Sequence, residues 1–153
     1  MVAMGLASIM LTDLTRTIVK GKAPPEVRKM FETLLDAQNA SLDAIRAGVL
    51  GSEVYNICCD VIEKAGYSTT RGGKQIVKGF THLLGHGVGL ELHEAPQMND
   101  LQFTLDEHSI VTVEPGLYDP KLGAVRNEDT VEVTKKGCNN LNKLKKDSRS
   151  LAE

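Results

Sequence analysis

Gly79 to Asn99 reads GFTHLLGHGVGLELHEAPQMN and holds three of the four histidines of the chain, His82, His86 and His93. Imidazole is the commonest metal ligand among side chains and the one whose ordinary pKa lies near neutrality. Three in so short a run point to metal binding or proton transfer. Gly85, Gly87 and Gly89 alternate around His86. Without a Cβ, glycine lets another strand, a ligand or an ion approach the backbone, and it disfavours a continuous helix. One reading falls at once. His82 and His86 are spaced like the histidines of a helical H-E-x-x-H zinc site, but Leu83 stands where that Glu would be, and the glycines weaken such a helix. The competing reading is a glycine-rich loop whose histidines cluster without a role.

Downstream, Ser109 to Tyr118, SIVTVEPGLY, reads as a strand. Alternation puts Val111 and Val113 on one face and Ile110, Thr112 and Glu114 on the other, with Pro115-Gly116 ending the regular pairing beside Glu114. A second strand spans Ala124 to Thr134, AVRNEDTVEVT, and Lys135-Lys136-Gly137 turns it. Arg126 and Glu128 share one of its faces, Val125, Asn127 and Asp129 the other. Between the histidines and these strands, Ala95-Pro96 and Asn99-Asp100 mark turns. From Asn139 the chain is polar and lysine-rich, which predicts a weakly ordered tail or a weak helix.

Upstream, residues 2 to 19 look extended, Ile9 to Leu11 and Ile18-Val19 flanking a threonine-rich segment around Asp13. Asp13 is then either solvated or held inward by a metal or by a cation such as Arg16. Pro24-Pro25 can open a helix, since proline has no N–H to lose in a first turn. In that helix Val27, Met30, Phe31, Leu34, Leu35, Leu42 and Ile45 keep a helical period interrupted at Gln38, and Gly48 supplies the stop. In a second helix Ser52 is the expected cap, Val54, Ile57, Cys58, Val61, Ile62 and Ala65 form the apolar stripe, and Gly66 ends it. Cys58 belongs to the core. Cys59 lies off the stripe with no activating neighbour in sequence, so a thiol enzyme is disfavoured. Residues 67 to 78 read as a loop, and its Gly72-Gly73 lacks the flanking strand and G-K-[ST] of a phosphate cradle.

A chain of 153 residues suits one domain with a real core. A net charge of -2 and 25% charged residues give no sign of a nucleic-acid or membrane surface. Three cysteines without C-x-x-C spacing favour neither a disulfide framework nor a thiolate zinc site, and predict reduced thiols in the cytoplasm. The apolar start, MVAMGLASIML, lacks the basic n-region and cleavage site of a signal peptide, and no run approaches the roughly 20 apolar residues of a membrane span.

Four candidate ligands now stand on separate elements: Asp13, His86, Glu114 and Glu128. Carboxylates with one imidazole suit Mn(II), Fe(II) or Co(II) better than structural zinc. Shared carboxylates can also hold two metals about 3.5–4 Å apart, an arrangement that serves hydrolysis. His82, His93, Arg126 and Tyr118 are left as supporting or substrate-contacting groups.

The motifs H-x-x-G-H-G-x-G-x-x-x-H-E-x-P (His82 to Pro96), V-E-P-G-L-Y (Val113 to Tyr118), V-R-N-E-D (Val125 to Asp129) and T-D-L-T-R-T (Thr12 to Thr17) together resemble the pita-bread metallopeptidases. The nearest branch is that of Xaa-Pro aminopeptidases and prolidases, because Arg126 before Glu128 is typical of proline-directed members and not of methionine aminopeptidases. The resemblance covers nearly the whole chain. It implies an α+β chain forming the C-terminal part of the pita-bread (creatinase/aminopeptidase) fold, a curved antiparallel sheet with helices on one face. By the same resemblance Asp13 and Glu128 are bridging metal ligands, and His86 and Glu114 ligands of one metal, with Glu114 also handling the proton. His82 and His93 contact the scissile carbonyl and the proline side of the substrate, and Arg126 orients Glu128 or binds substrate. The implied cofactor is Mn(II) or Co(II), two per site in the intact family, and the implied reaction is hydrolysis of the bond preceding proline in a peptide or dipeptide.

One departure stands out. The family has a further metal-binding Asp eleven residues before the one matching Asp13, where this chain has Val2, or Ala3 if Gly5 is aligned instead. The expectation is therefore a single, N-terminally incomplete catalytic domain over residues 1–153 that binds at most one metal tightly, hydrolyses little alone and associates into homo-oligomers, such as a dimer, along an unpaired sheet edge. The alternatives are a catalytically inactive pita-bread binding module and a creatinase-like hydrolase acting on non-peptide substrates.

Overall fold

A computed structural model describes residues 2–7, 10–99 and 101–146. The order of elements is β1 (Val2–Ala7), β2 (Met10–Thr15), α1 (Pro25–Ala44), α2 (Gly51–Lys64), β3 (Gly85–Gly87), β4 (Glu94–Met98), β5 (Ile110–Val113), β6 (Gly116–Asp119), β7 (Gly123–Arg126), β8 (Asp129–Thr134) and β9 (Gly137–Asn140), with one 3-10 turn at Arg71–Gly73. The strands pair antiparallel throughout, as a β1–β2 hairpin, a five-stranded sheet in the order β4-β3-β5-β8-β9, and a β6–β7 hairpin.

Alternation along β5 explains how the layers meet. Val111 and Val113 are fully buried with Leu34, Ile45, Val54, Ile62, Phe80 and Leu84 in the core beneath α1 and α2. Thr112 turns the other way and binds the backbone of β3, its Oγ1 accepting the His86 N–H at 3.0 Å. The glycines of β3 permit this approach. A Cβ on Gly85 would lie 1.9 Å from the Thr112 carbonyl oxygen, so no larger residue fits between β3 and β5.

The two long strands expected from sequence are each divided. Ser109 to Tyr118 becomes β5 and β6, and Ala124 to Thr134 becomes β7 and β8, in two different sheets. Pro115 has no N–H to give a ladder, which is why the pairing stops beside Glu114. The register is nevertheless the same on both sides, Val113 opposite Asp129 and Gly116 opposite Arg126, so Glu114 and Glu128 face each other across the interruption. Neighbouring strands fill it: the Glu114 N–H donates to the Leu84 carbonyl (2.7 Å) and the Glu128 N–H to the Thr15 carbonyl (2.9 Å).

Other expectations shift. Ala95-Pro96 is not a turn but part of β4, an edge strand, where a missing N–H costs no ladder bond. Helix α1 ends at Ala44, and Gly48, at φ 87°, shapes the connection beyond it. Leu50 rather than Ser52 precedes α2; Ser52 lies in its first turn, its Oγ accepting from Gln102 at 3.3 Å. Cys59 is as buried as Cys58, and burial pushes both thiols above their ordinary pKa. Asn139 and Asn140 do not begin a frayed tail; they complete β9 against β8, and Leu141 donates to the Thr130 carbonyl at 3.0 Å. The tail beyond Lys146, Ile9 and Asp100 lie outside the described residues.

Candidate metal centre

Four chain segments bring one side chain each to the interruption in the long hairpin. Asp13 comes from β2, His86 from β3, Glu114 from the end of β5, and Glu128 from the residue before β8. All four are buried, Glu128 completely. One donor atom each from Asp13, His86 and Glu128 lies within 4.8 Å of the other two. His86 Nε2 is 3.2 Å from Glu114 Oε1 and 3.9 Å from Asp13 Oδ2. Sequence reasoning named these four, and the fold gathers them.

Several details fit a cation. His86 Nδ1 lies 3.0 Å from the Gly87 carbonyl oxygen, a contact that fixes an N–H at Nδ1 and turns Nε2 toward the carboxylates as the donor available to a metal. Asp13 Oδ1 and Glu128 Oε1 are buried without a hydrogen-bond partner among the described residues. Orphaned carboxylate oxygens in a dry pocket are costly unless a positive charge meets them. Burial, helped by the Glu114 charge, raises the Glu128 pKa above the ordinary carboxylate value against the pull of Thr15 and Arg126. Glu114 goes the other way: burial raises it, but His86 and Arg126 outweigh burial and hold it below the ordinary value. For His86, burial favours the neutral ring, while the bonds to Glu114 and Gly87 and the charges of Glu114 and Asp13 prevail and raise its pKa.

Around the centre stand the remaining candidates. Arg126 spans the two glutamates, its Nη2 3.1 Å from Glu114 Oε2 and 2.9 Å from Glu128 Oε2. His82 is held between Phe80 and Tyr118, edge-on to both rings, with Nδ1 2.7 Å from the Leu83 carbonyl and Nε2 3.2 Å from the Tyr118 hydroxyl. Burial lowers its pKa, so the ring is neutral with Nδ1 protonated. His93 is exposed and lies over His86, ring centres 4.2 Å apart. Beside His82 opens a hollow of about 430 Å³ lined by Tyr55, Thr70, His82, Leu83, Asn99 and Leu101.

Two contributors were not singled out from sequence. Thr15 donates its hydroxyl to Glu128 Oε2 at 2.5 Å, and Thr112 supports both His86 and, at 3.4 Å, Glu114. The signal for both was period-two alternation, since each lies two residues from a ligand on the same strand face.

An antiparallel sheet backed by two helices is the architecture of the pita-bread fold, and the buried carboxylate–imidazole cluster lies on the face of the sheet opposite the helices. The description Metallopeptidase family M24 matches residues 3–135, and the chain belongs to that family. The chain is 39% identical over 137 residues to the Xaa-Pro dipeptidase of Pyrococcus furiosus, covering 89% of this chain and 37% of that protein. It superposes on the prolidase of Pyrococcus horikoshii with a TM-score of 0.86 at 35% identity, covering 95% of this chain and 40% of that one. The X-Pro aminopeptidase of Thermotoga maritima gives 0.85 at 31% identity, with 95% and 39% covered. The chain thus spans well under half the length of these relatives.

Proposed function

We propose that this centre binds one divalent ion, Mn(II) or Co(II), and serves hydrolysis of the peptide bond preceding proline, in the manner of an Xaa-Pro dipeptidase or aminopeptidase. The observation that carries the reading is the buried donor set of Asp13, His86 and Glu128, with two orphaned carboxylate oxygens, beside Arg126 and His82. The names of the relatives support the restriction to Xaa-Pro bonds. Asp13, His86, Glu114 and Glu128 are the residues that hold the ion. When bound, it supplies Lewis-acid polarisation and a nucleophile at neutral pH.

The chain's own groups divide the remaining work. Glu114, ionised and within reach of the cluster, takes the proton of the attacking water and returns it to the prolyl nitrogen, which departs as a secondary amine. Arg126 bridges the two glutamates through one nitrogen and orients Glu128. His93, exposed at the mouth, reaches the scissile carbonyl, while His82 and the adjoining hollow receive the proline side. Preorganised donors aimed at developing charge are worth several kcal/mol in such water-poor sites, on the order of 3 per donor.

One ion rather than two is expected because Val2, which the register of β1 against β2 pairs with Thr15, stands where the family's further Asp is expected. Elemental analysis after dialysis against Mn(II) or Co(II) should give one equivalent per chain, and Val2→Asp should raise it to two and increase proline release from Xaa-Pro dipeptides. Two equivalents in the parent chain would overturn the stoichiometry. A chain that binds the ion, yet cleaves no Xaa-Pro dipeptide or longer peptide even with Val2→Asp, would favour the binding-module reading.

Dimerisation along the free edge of β1 and residence in the cytoplasm complete the proposal. Strand β1 pairs only with β2 among the described residues, and Cys58, Cys59 and Cys138 are free thiols, in keeping with a reducing compartment. No helix among the described residues is long and apolar enough to cross a membrane. Light scattering giving a monomer mass across micromolar concentrations would remove the dimer.

A further inference from the structure

Gln38 interrupts the apolar stripe of α1, yet it is fully buried. A buried amide in a helix face built of Met30, Phe31, Leu34 and Ala37 costs stability unless its polar atoms find partners. Its Nε2 lies 2.8 Å from the Val113 carbonyl oxygen and 3.4 Å from that of Asn127, while Oε1 has no partner among the described residues. Both contacts are to acceptors, so the NH2 end is the one that faces the sheet.

The two carbonyls have one thing in common. Each belongs to the rigid peptide unit that leads directly into a glutamate of the centre: Val113–Glu114 and Asn127–Glu128. The other end of each unit is held as well, the Glu114 N–H by Leu84 and the Glu128 N–H by Thr15. These are also the places where the hairpin leaves its ladder, so regular pairing does not fix them. Turning either peptide plane would swing the following Cα–Cβ bond and, with it, a carboxylate.

We propose that Gln38 is a positioning residue of the metal centre: from the helix side it clamps the two peptide planes that aim Glu114 and Glu128 at the ion. This role rests on the metal-centre reading above, and Gln38 itself touches neither metal nor substrate. A single amide with two N–H groups can tie both interruption points together, which a Leu or Met at this helix position cannot do. Loss of such an orienting group reduces metal affinity by about 10–100-fold in other metal sites.

The test uses Co(II), whose visible absorption reports coordination geometry, titrated into the parent chain, Gln38→Met, Gln38→Glu and Leu35→Ala. Methionine keeps the volume and helix preference of glutamine without its donors, glutamate keeps the shape, and Leu35 is a half-buried residue of α1 packed on the core. Gln38→Met should weaken Co(II) binding about tenfold and shift the spectrum, and Gln38→Glu should do likewise should the Met variant fail to fold. Leu35→Ala should lower the melting temperature while leaving affinity and spectrum at parental values. Parental binding and spectrum in the folded Gln38 variants, or an equal change in Leu35→Ala, would overturn the positioning role alone. A parent chain that takes up no Co(II) would overturn the metal centre, and this role with it.

Discussion

Glu128 and Asp129 are neighbours in sequence, both fully buried, and point to opposite sides of the sheet. Their surroundings differ in kind. Asp129 meets Arg16 at 2.6 Å through one oxygen, while its other oxygen receives Lys146 and, at 2.7 Å, the amide of Asn140. Arg16 in turn donates to the carbonyls of Thr15, Glu128 and Leu144, so its guanidinium is fully used. Glu128 shares the single cation Arg126 with Glu114 and leaves Oε1 unmet. A buried carboxylate completed by its own chain is a fastener, whereas one left incomplete beside a histidine and a second carboxylate is a socket. Asp129 lacks the imidazole, and no orphaned oxygen remains on it.

The largest effects should separate these two roles. Asp129→Asn leaves Arg16 and Lys146 without their shared anion and should cost about 3 kcal/mol of unfolding stability in denaturant melts, while Co(II) affinity of the folded fraction changes little. Glu128→Gln should do the reverse, weakening Co(II) binding by more than about 100-fold, since a direct ligand counts for more than the outer partners worth 10–100-fold. In the absence of metal it should leave stability unchanged or slightly higher, because a like-charged carboxylate has been removed from Glu114. Equal stability losses in the two variants would erase the distinction.

Metal linkage sharpens the contrast next. At a hundredfold excess of ion over its Kd, a one-site ligand adds about 2.7 kcal/mol of stability. Thermal melts should therefore rise with Co(II) in the parent and in Asp129→Asn, but not in Glu128→Gln. A rise in all three would place the ion elsewhere. Among the histidines, His86→Ala should abolish that rise, whereas His93→Ala, at the exposed mouth, should retain it. Should His82→Ala remove it as fully as His86→Ala, the assignment of His86 as the ligand would be wrong.

The smallest expected effect concerns a third acidic group, at the surface. Glu63 receives the Thr69 hydroxyl at 2.5 Å and pairs with Arg71, and these bonds hold its pKa below the ordinary carboxylate value. A depressed folded pKa means stability that is present above the unfolded value and lost as pH falls through the folded one. Glu63 is a third exposed, so solvent screens it, and Glu63→Gln should cost less than about 1 kcal/mol at neutral pH. The gap between parent and variant should close in acid. A gap that persists below the carboxylate range would point to packing rather than charge.

The four side chains that the fold gathers were singled out from sequence on local chemistry: glycines that admit close approach, a proline that ends pairing, and alternation that assigns faces. Alternation put Val111 and Val113 on one shared face, and Arg126 beside Glu128, correctly; the end of pairing at Pro115-Gly116 was expected, the division of Ala124 to Thr134 was not. What was not legible depended on partners distant in sequence. Nothing near Pro115 says that the hairpin would resume in register after it, and nothing near Asn139 says that β8 lies waiting for a further strand. Cys59, off the helical stripe, is buried because the loop around Thr69 and Phe80 covers that side of α2. Ser52 satisfies every sequence rule for a cap, yet α2 begins before it. Gln38 looked like a flaw in a stripe until the sheet supplied two carbonyls for it.

The bond between the Thr15 hydroxyl and Glu128 joins residues 113 positions apart. Synthesis proceeds at about 5–20 residues per second, so Asp13 leaves the ribosome many seconds before Glu128 and waits with no partner for its charge. The buried cluster of Asp13, His86, Glu114 and Glu128 cannot exist on the nascent chain until the segment around Glu128 has emerged. An ion held there, as proposed, is captured only after that point.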